Sequence, residues 1–283
     1  MVVPCVSIDR LQMPRLLYGT AWKEDRTQQL TKLALKQGFR GIDTANQRRH
    51  YHEAGVGAAI TATIEDKLLT RDELFLQSKF TFQRGQDHRL PYDPGAPVSL
   101  QVQQSFASTL EHLGTEMLDS YLLHGPMRQA GLSSEDLEAW KGMEAIHDTG
   151  RVRMLGVSNF SLKQLQLLCQ QVRVPPRFVQ NRCYAAQGWD RQIREFCTAN
   201  GITYQGFSLL TANARVVANA DVARIAKRYD RTIAQIVFRF AIEVGMIPLT
   251  GTTDANHMRQ DLDIFDFGLE PAEIQQIARL AAH

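Results

Sequence analysis

Short apolar runs alternate with amphipathic stretches along nearly the whole chain, and the alternation repeats eight times. LLYGTAW at 16–22 reads as a strand. RTQQLTKLALKQG (26–38) follows, with Leu30, Leu33, Ala34 and Gln37 at helical spacing and Gly38 at the stop. FRGIDTA (39–45) is a second strand with a helix over 52–67. LFLQSKF (74–80) is a third, followed by a helix bracketed by Ser99 and Gly114. MLDSYLLHG (117–125) is the fourth; its helix opens at Ser133, where Ser133-x-x-Asp136 resembles a capping box, and ends at Gly150. MLGVSNF (154–160) and RFVQNRCY (177–184) are strands, each with a helix behind it, at 161–172 and 190–201. ITYQGFSLL (202–210) precedes one or two helices over 221–245. MIPLTG (246–251) precedes the last barrel helix at 256–265, and 271–281 predicts a terminal helix packed outside. A hairpin around residues 12–14 is expected at the barrel floor.

Eight strand–helix units of roughly thirty residues each predict a single α/β domain over 1–283, a (β/α)₈ TIM barrel. An open, doubly wound sheet would need a G-x-G-x-x-G turn after its first strand. Gly55-Val56-Gly57 is the nearest approach, and it lies inside a helical stretch. Residues 83–97 hold three prolines and two glycines and predict an irregular loop, of the kind that builds substrate pockets.

Composition narrows the function classes. A hydrophobic content of 44%, a charged content of 22% and a net charge of +2 belong to an ordinary globular protein, and no like-charge block argues for nucleic acid or a membrane surface. Asp9, Arg10 and Arg15 interrupt the N-terminal apolar residues, so no secretory signal is expected. Cys5, Cys169, Cys183 and Cys197 show no metal-ligand spacing, and a reducing, cytoplasmic setting is expected.

The chemistry gathers at strand ends. Asp43, Lys79 and His124 each close an apolar strand, and Tyr51 follows the second. Barrel active sites are built at that end. A tyrosine hydroxyl is a reluctant acid near neutral pH. A lysine ammonium beside it would lower its pKa, a carboxylate would hold the lysine, and a histidine would orient a substrate oxygen. Singly, each residue is more simply a loop charge or a core histidine; the ordered set favours catalysis.

These strings resemble the aldo-keto reductases over nearly the whole chain: GTAW, GFRGIDTA, Ser78-Lys79, Leu123-His124, GVSNF, Gln180 and FSLL. The resemblance implies NADPH-dependent reduction of a small carbonyl substrate by a monomer, with NADH usable. It implies Asp43, Tyr51, Lys79 and His124 as the catalytic set. For the cofactor it implies Thr20, Ala21, Asp43, Ser158, Asn159, Gln180, Phe207, Ser208 and Leu210, then Thr250, Gly251, Thr252, His257 and Arg259. Trp22, Tyr51 and His124 would form the substrate pocket, without a metal. Phe207 stands where the family's nicotinamide-stacking residue is usually tyrosine.

Two departures stand out. The tyrosine comes eight residues after Asp43 rather than five, which reads as a three-residue insertion within 47–50. Leu249 replaces a phosphate-binding lysine, leaving backbone amides and hydroxyls at 250–253 and Arg259 to hold a 2′-phosphate. Arg48 and Arg49 read as loop charges that could attract an anionic substrate. About sixteen residues follow Phe267, so the resemblance implies a pocket open on that side. Two rivals are a catalytically weak cofactor-binding regulatory protein on the same fold and an enzyme using Lys79 as a Schiff-base nucleophile.

Overall fold

The computed structural model describes residues 3–8 and 11–280. Eight parallel strands close a barrel: β3 (Leu17–Gly19), β4 (Gly41–Asp43), β5 (Phe75–Phe80), β6 (Leu118–Leu123), β7 (Val152–Ser158), β8 (Phe178–Arg182), β9 (Thr203–Phe207) and β10 (Ile247–Thr250). Closure comes from β10, which pairs with β9 through Ile247–Gln205 and with β3 through Leu249–Leu17. Helices α1 (Thr27–Gln37), α2 (Glu53–Glu65), α3 (Val98–Leu113), α4 (Ser134–Asp148), α5 (Leu162–Gln171) and α6 (Arg191–Ala199) follow successive strands. The last third adds α7 (Ala214–Val217), α8 (Ala220–Tyr229), α9 (Ile233–Glu243), α10 (Ala255–Leu262) and α11 (Pro271–Arg279). Among the described residues no helix is long and apolar enough to cross a membrane.

Strand alternation sorts the core into two zones. One set of side chains (Leu17, Phe75, Leu122, Met154, Phe178, Ile247) fills the barrel, and Ile8, Leu11 and Met13 pack against it from below. Those three come from an antiparallel pair, β1 (Cys5–Ile8) and β2 (Leu11–Pro14). The expected hairpin is therefore present, but residues 12–14 lie on its second strand and its turn falls outside the described residues. The other zone lies between strands and helices and holds Trp140, Phe106, Val157 and Phe240.

The strands are shorter than the apolar runs that announced them. β3 stops at Gly19 and β4 at Asp43, because the following residues leave the sheet to line a cleft. The 221–245 stretch resolves into two helices. Asp230, at φ +51°, ends α8, and Thr232 caps α9 with Gln235 as its reciprocal partner. Ser133 and Asp136 form the predicted capping box. Ser99 does not start α3: Pro97 precedes Val98 as the cap. Gly55 and Gly57 both lie in α2, and a Cβ on Gly57 would stand 2.1 Å from the His112 carbonyl oxygen. That glycine serves the close approach of α2 to α3.

Candidate active site

The C-terminal ends of the strands open into a cleft of about 760 Å³. Asp43 ends β4, and Lys79 lies near the end of β5 with no solvent exposure. The Lys79 ammonium donates to Asp43 Oδ1 and Oδ2 at 2.7 and 2.8 Å and to the Thr44 carbonyl at 2.8 Å. All three of its protons are thereby engaged, and burial holds its pKa below the ordinary lysine value against the upward pull of Asp43. Such a lysine is no free nucleophile, which removes the support for a Schiff-base role.

Asp43 also accepts from Gln77 at 2.7 Å and from Gln180 at 2.9 Å. Gln205 completes a buried amide layer, accepting from Gln77 and Gln180 at 2.9 Å and donating back to Gln77 at 3.0 Å. This layer sits between the apolar barrel filling and the cleft. Thr20, expected at the cofactor, is fully buried outside the cleft lining, and its hydroxyl donates to the Asp43 carbonyl at 3.0 Å.

The inserted segment folds into a tight turn that leaves Tyr51 in the cleft. His50 and Tyr51 amides donate to the Gln47 carbonyl at 3.1 and 2.9 Å, and the Gln47 side chain reaches the Gly85 carbonyl at 2.6 Å. His50 stacks on Trp22 at 3.9 Å between ring centroids. The Tyr51 ring lies 5.4 Å from Lys79 Nζ and edge-on to His124 at 5.8 Å. Its hydroxyl makes no hydrogen bond among the described residues.

Burial and the Asp43 carboxylate push the Tyr51 pKa far above the ordinary tyrosine value, and Arg182 opposes them. The expected lowering by Lys79 is thus not found, because Asp43 occupies the ammonium. Tyr51 stays a protonated phenol across the working pH range. His124 is held neutral: burial, then the Lys79 and His50 charges, lower its pKa to about 3. Its Nδ1 pairs with Thr81 Oγ1 at 2.7 Å, which leaves Nε2 to address a substrate oxygen.

Further along the cleft stand Ser158, Asn159, Gln180, Phe207, Ser208 and Leu210. Asn159 and Ser208 follow strand ends with left-handed backbones (φ +59° and +57°), as does Trp22 (φ +61°). Such strained positions gather at functional sites. Asn159 Nδ2 donates to the His124 carbonyl at 2.8 Å, and Gln180 Nε2 is spent on Asp43 and Gln205. The side-chain oxygens Asn159 Oδ1 and Gln180 Oε1 keep no protein donor among the described residues. Two acceptors near the Phe207 ring fit a nicotinamide carboxamide. Ala21 and Trp22 line the opposite side, Trp22 being 68% exposed at the mouth.

The far end is formed by Leu249, Thr250, Gly251, Thr252, Thr253 and His257. Arg259 is not among the lining residues; it is exposed and pairs with Asn256 on its own helix. The expected phosphate ligands at 250–253 precede α10, whose own first amides bond a carboxylate: Asp254 accepts from Asn256 and His257 at 2.8 and 3.0 Å. A cation that the sequence reading missed stands here instead. Lys23, 3% exposed, donates to the Gly251 carbonyl at 2.8 Å and lies 4.9 Å over the Tyr18 ring. Burial lowers its pKa to about 8.

Residues 83–97 do not line the main cleft. Arg89, Leu90 and Pro91 instead cover a side cavity of about 330 Å³ behind Tyr51, and Tyr92 is anchored to the Thr81 carbonyl at 2.8 Å. Arg48 and Arg49 also lie outside the main cleft lining; Arg48 faces Glu24 at 3.8 Å.

The model of the "Aldo/keto reductase family" matches residues 16–282. Deoxymugineic acid synthase 1 of Zea mays is 30% identical over 293 residues, spanning 95% of this chain and 88% of that protein. Methylglyoxal reductase DkgA of Escherichia coli is 28% identical over 271 residues, spanning 95% and 90%. The crystal structure of a Bombyx mori aldo-keto reductase in complex with NADP superposes with a TM-score of 0.84 at 25% identity, covering 100% of this chain and 94% of that one.

Proposed function

The chain belongs to the aldo/keto reductase family, and from that premise we propose that it reduces an aldehyde or ketone to an alcohol with NADPH, Tyr51 serving as general acid. The observation that carries this reading is the placement of Tyr51 despite the insertion: its ring lies beside both Lys79 and His124, with its hydroxyl unengaged. When bound, the nicotinamide cofactor supplies the hydride. Asn159, Gln180 and Ser158 hold its carboxamide, and Phe207 offers the stacking face. His124, neutral, donates a hydrogen bond from Nε2 to the carbonyl oxygen and fixes it near Tyr51. Tyr51 gives its proton to that oxygen as negative charge develops there.

The Lys79–Asp43 pair, braced by Gln77, Gln180 and Gln205, keeps the floor of the site rigid and its charges balanced. At the far end Lys23 and the hydroxyls of Thr252 and Thr253 would take the cofactor phosphates in place of the lysine absent at Leu249, the Thr250 hydroxyl being spent on Asp261. Preference for NADPH over NADH is accordingly modest. Support for NADPH comes from the NADP-bound Bombyx mori relative.

The test is consumption of NADPH and NADH by the purified protein against a panel of aldehydes, ketones and quinones. The reading requires turnover with at least one carbonyl class and faster reaction with NADPH. Tight cofactor binding with no turnover on any of them would favour the regulatory alternative.

A further inference from the structure

β8 carries one residue that none of these roles uses. Its inward positions run Phe178, Gln180, Arg182, each two residues on, so they share a face and climb from the barrel filling through the amide layer to the mouth. Arg182 is exposed, lines the main cleft together with Tyr51 and His124, and sits in register with Phe207 on β9. Its guanidinium lies over the Phe207 ring at 5.4 Å from the centroid. No carboxylate pairs with it and no hydrogen bond engages it among the described residues.

Several other arginines are held by fixed partners. Arg71 bonds Asp119, Arg239 bonds Glu243, and Arg194 bonds the carbonyls of Trp189 and Val244. The two carboxylates of the main cleft lining cannot serve Arg182: Asp43 is closed in its pair with Lys79, and Asp261 sits on α10 holding the Thr250 hydroxyl at 2.7 Å. The reacting end of the cleft therefore holds one uncompensated cation, close enough to Tyr51 for its charge to act on that hydroxyl. A guanidinium fork with open N–H donors matches a carboxylate bidentately, and its aromatic support is a weak contact readily exchanged for one.

We propose that Arg182 makes this an oxo-acid reductase: the substrate carries a carboxylate a few bonds from its carbonyl, and Arg182 binds that carboxylate while His124 and Tyr51 address the carbonyl oxygen. This rests on the carbonyl-reductase reading and names its substrate class. The C=O carbon takes a hydride from the reduced nicotinamide, which becomes oxidised. The oxygen takes the Tyr51 proton, giving a hydroxy acid, and solvent returns a proton to Tyr51. The carboxylate itself is unchanged.

The test compares 4-carboxybenzaldehyde with its neutral methyl ester, and adds calorimetric titration of benzoate into the protein saturated with oxidised cofactor. Wild type should favour the acid at least tenfold in kcat/KM, chiefly through KM. Arg182→Met should lower the acid-to-ester ratio at least tenfold and abolish measurable benzoate binding, with Arg182→Lys restoring part of both. Equal turnover of acid and ester by the wild type, or an unchanged ratio and unchanged benzoate affinity in Arg182→Met, would overturn the proposal. Arg182-dependent benzoate binding without turnover of either aldehyde would support the anion site while sinking the reductase reading.

Discussion

Asp261 gives a prediction whose size can be worked from the structure. Asp261 is 3% exposed on α10, and among the described residues its carboxyl accepts one hydrogen bond, from Thr250 at 2.7 Å, and has no arginine or lysine partner. Burial raises its pKa from 3.8 to about 7, opposed by the Thr250 bond and the His257 charge. An unfolded chain releases this proton near pH 4, whereas the folded protein keeps it until near pH 7. Across that window the native state binds more protons, so this group makes stability fall as pH rises. At about 1.4 kcal/mol per pH unit the loss approaches 4 kcal/mol above pH 7. Asp261→Asn keeps an acceptor for Thr250 and removes the titration. Urea unfolding of the cofactor-free protein should show the variant about 2–4 kcal/mol more stable than wild type at pH 8 and nearly equal at pH 4.5. Equal differences at both pH values, or a loss at pH 8, would refute the burial of an unpaired acid at this position.

The charged floor and the phosphate end yield three more expectations. Lys79→Met strands the buried Asp43 carboxylate and should cost about 3–5 kcal/mol in urea unfolding, while the Asp43→Asn/Lys79→Met double variant should recover part of that. Asp254→Asn keeps the cap of α10 but removes a negative charge beside residues 250–253, so fluorescence titration should show NADPH tightening about two- to fivefold relative to NADH. Cofactor affinity should decline as pH rises past about 8, where Lys23 gives up its proton, and Lys23→Met should flatten that decline.

The architecture was legible because short apolar runs alternate with longer stretches of helical period, and eight such repeats leave little choice of fold. Strand ends and caps were less so, since they depend on where side chains leave the sheet for the cleft. Of the site, Asp43, Tyr51, Lys79 and His124 were visible as ionisable residues at the ends of apolar runs. Which partner each would take was not. Lys79 was read as the group that tunes Tyr51, yet three close acceptors absorb its charge, and Arg182 is the cation that acts on the hydroxyl. Gln77, Gln205 and Arg182 were missed although the signal was there: each stands two residues from a site residue on the same strand and so shares its inward face. Lys23 and Asp254 could not be weighed from sequence, because their roles come from contacts across the 250–253 loop. Arg259 matched a pattern of residue types but points to its own helix.

The central claim is that Tyr51, displaced in sequence by the insertion, is still the acid. The direct measurement is turnover of Tyr51→Phe on the best carbonyl substrate, beside NADPH affinity of the same variant by fluorescence titration. The ring keeps its packing against His124 and loses only the hydroxyl, so turnover should fall by about two to four orders of magnitude while NADPH affinity stays within about twofold. Turnover near wild type would contradict the account and move the proton donor elsewhere in the cleft.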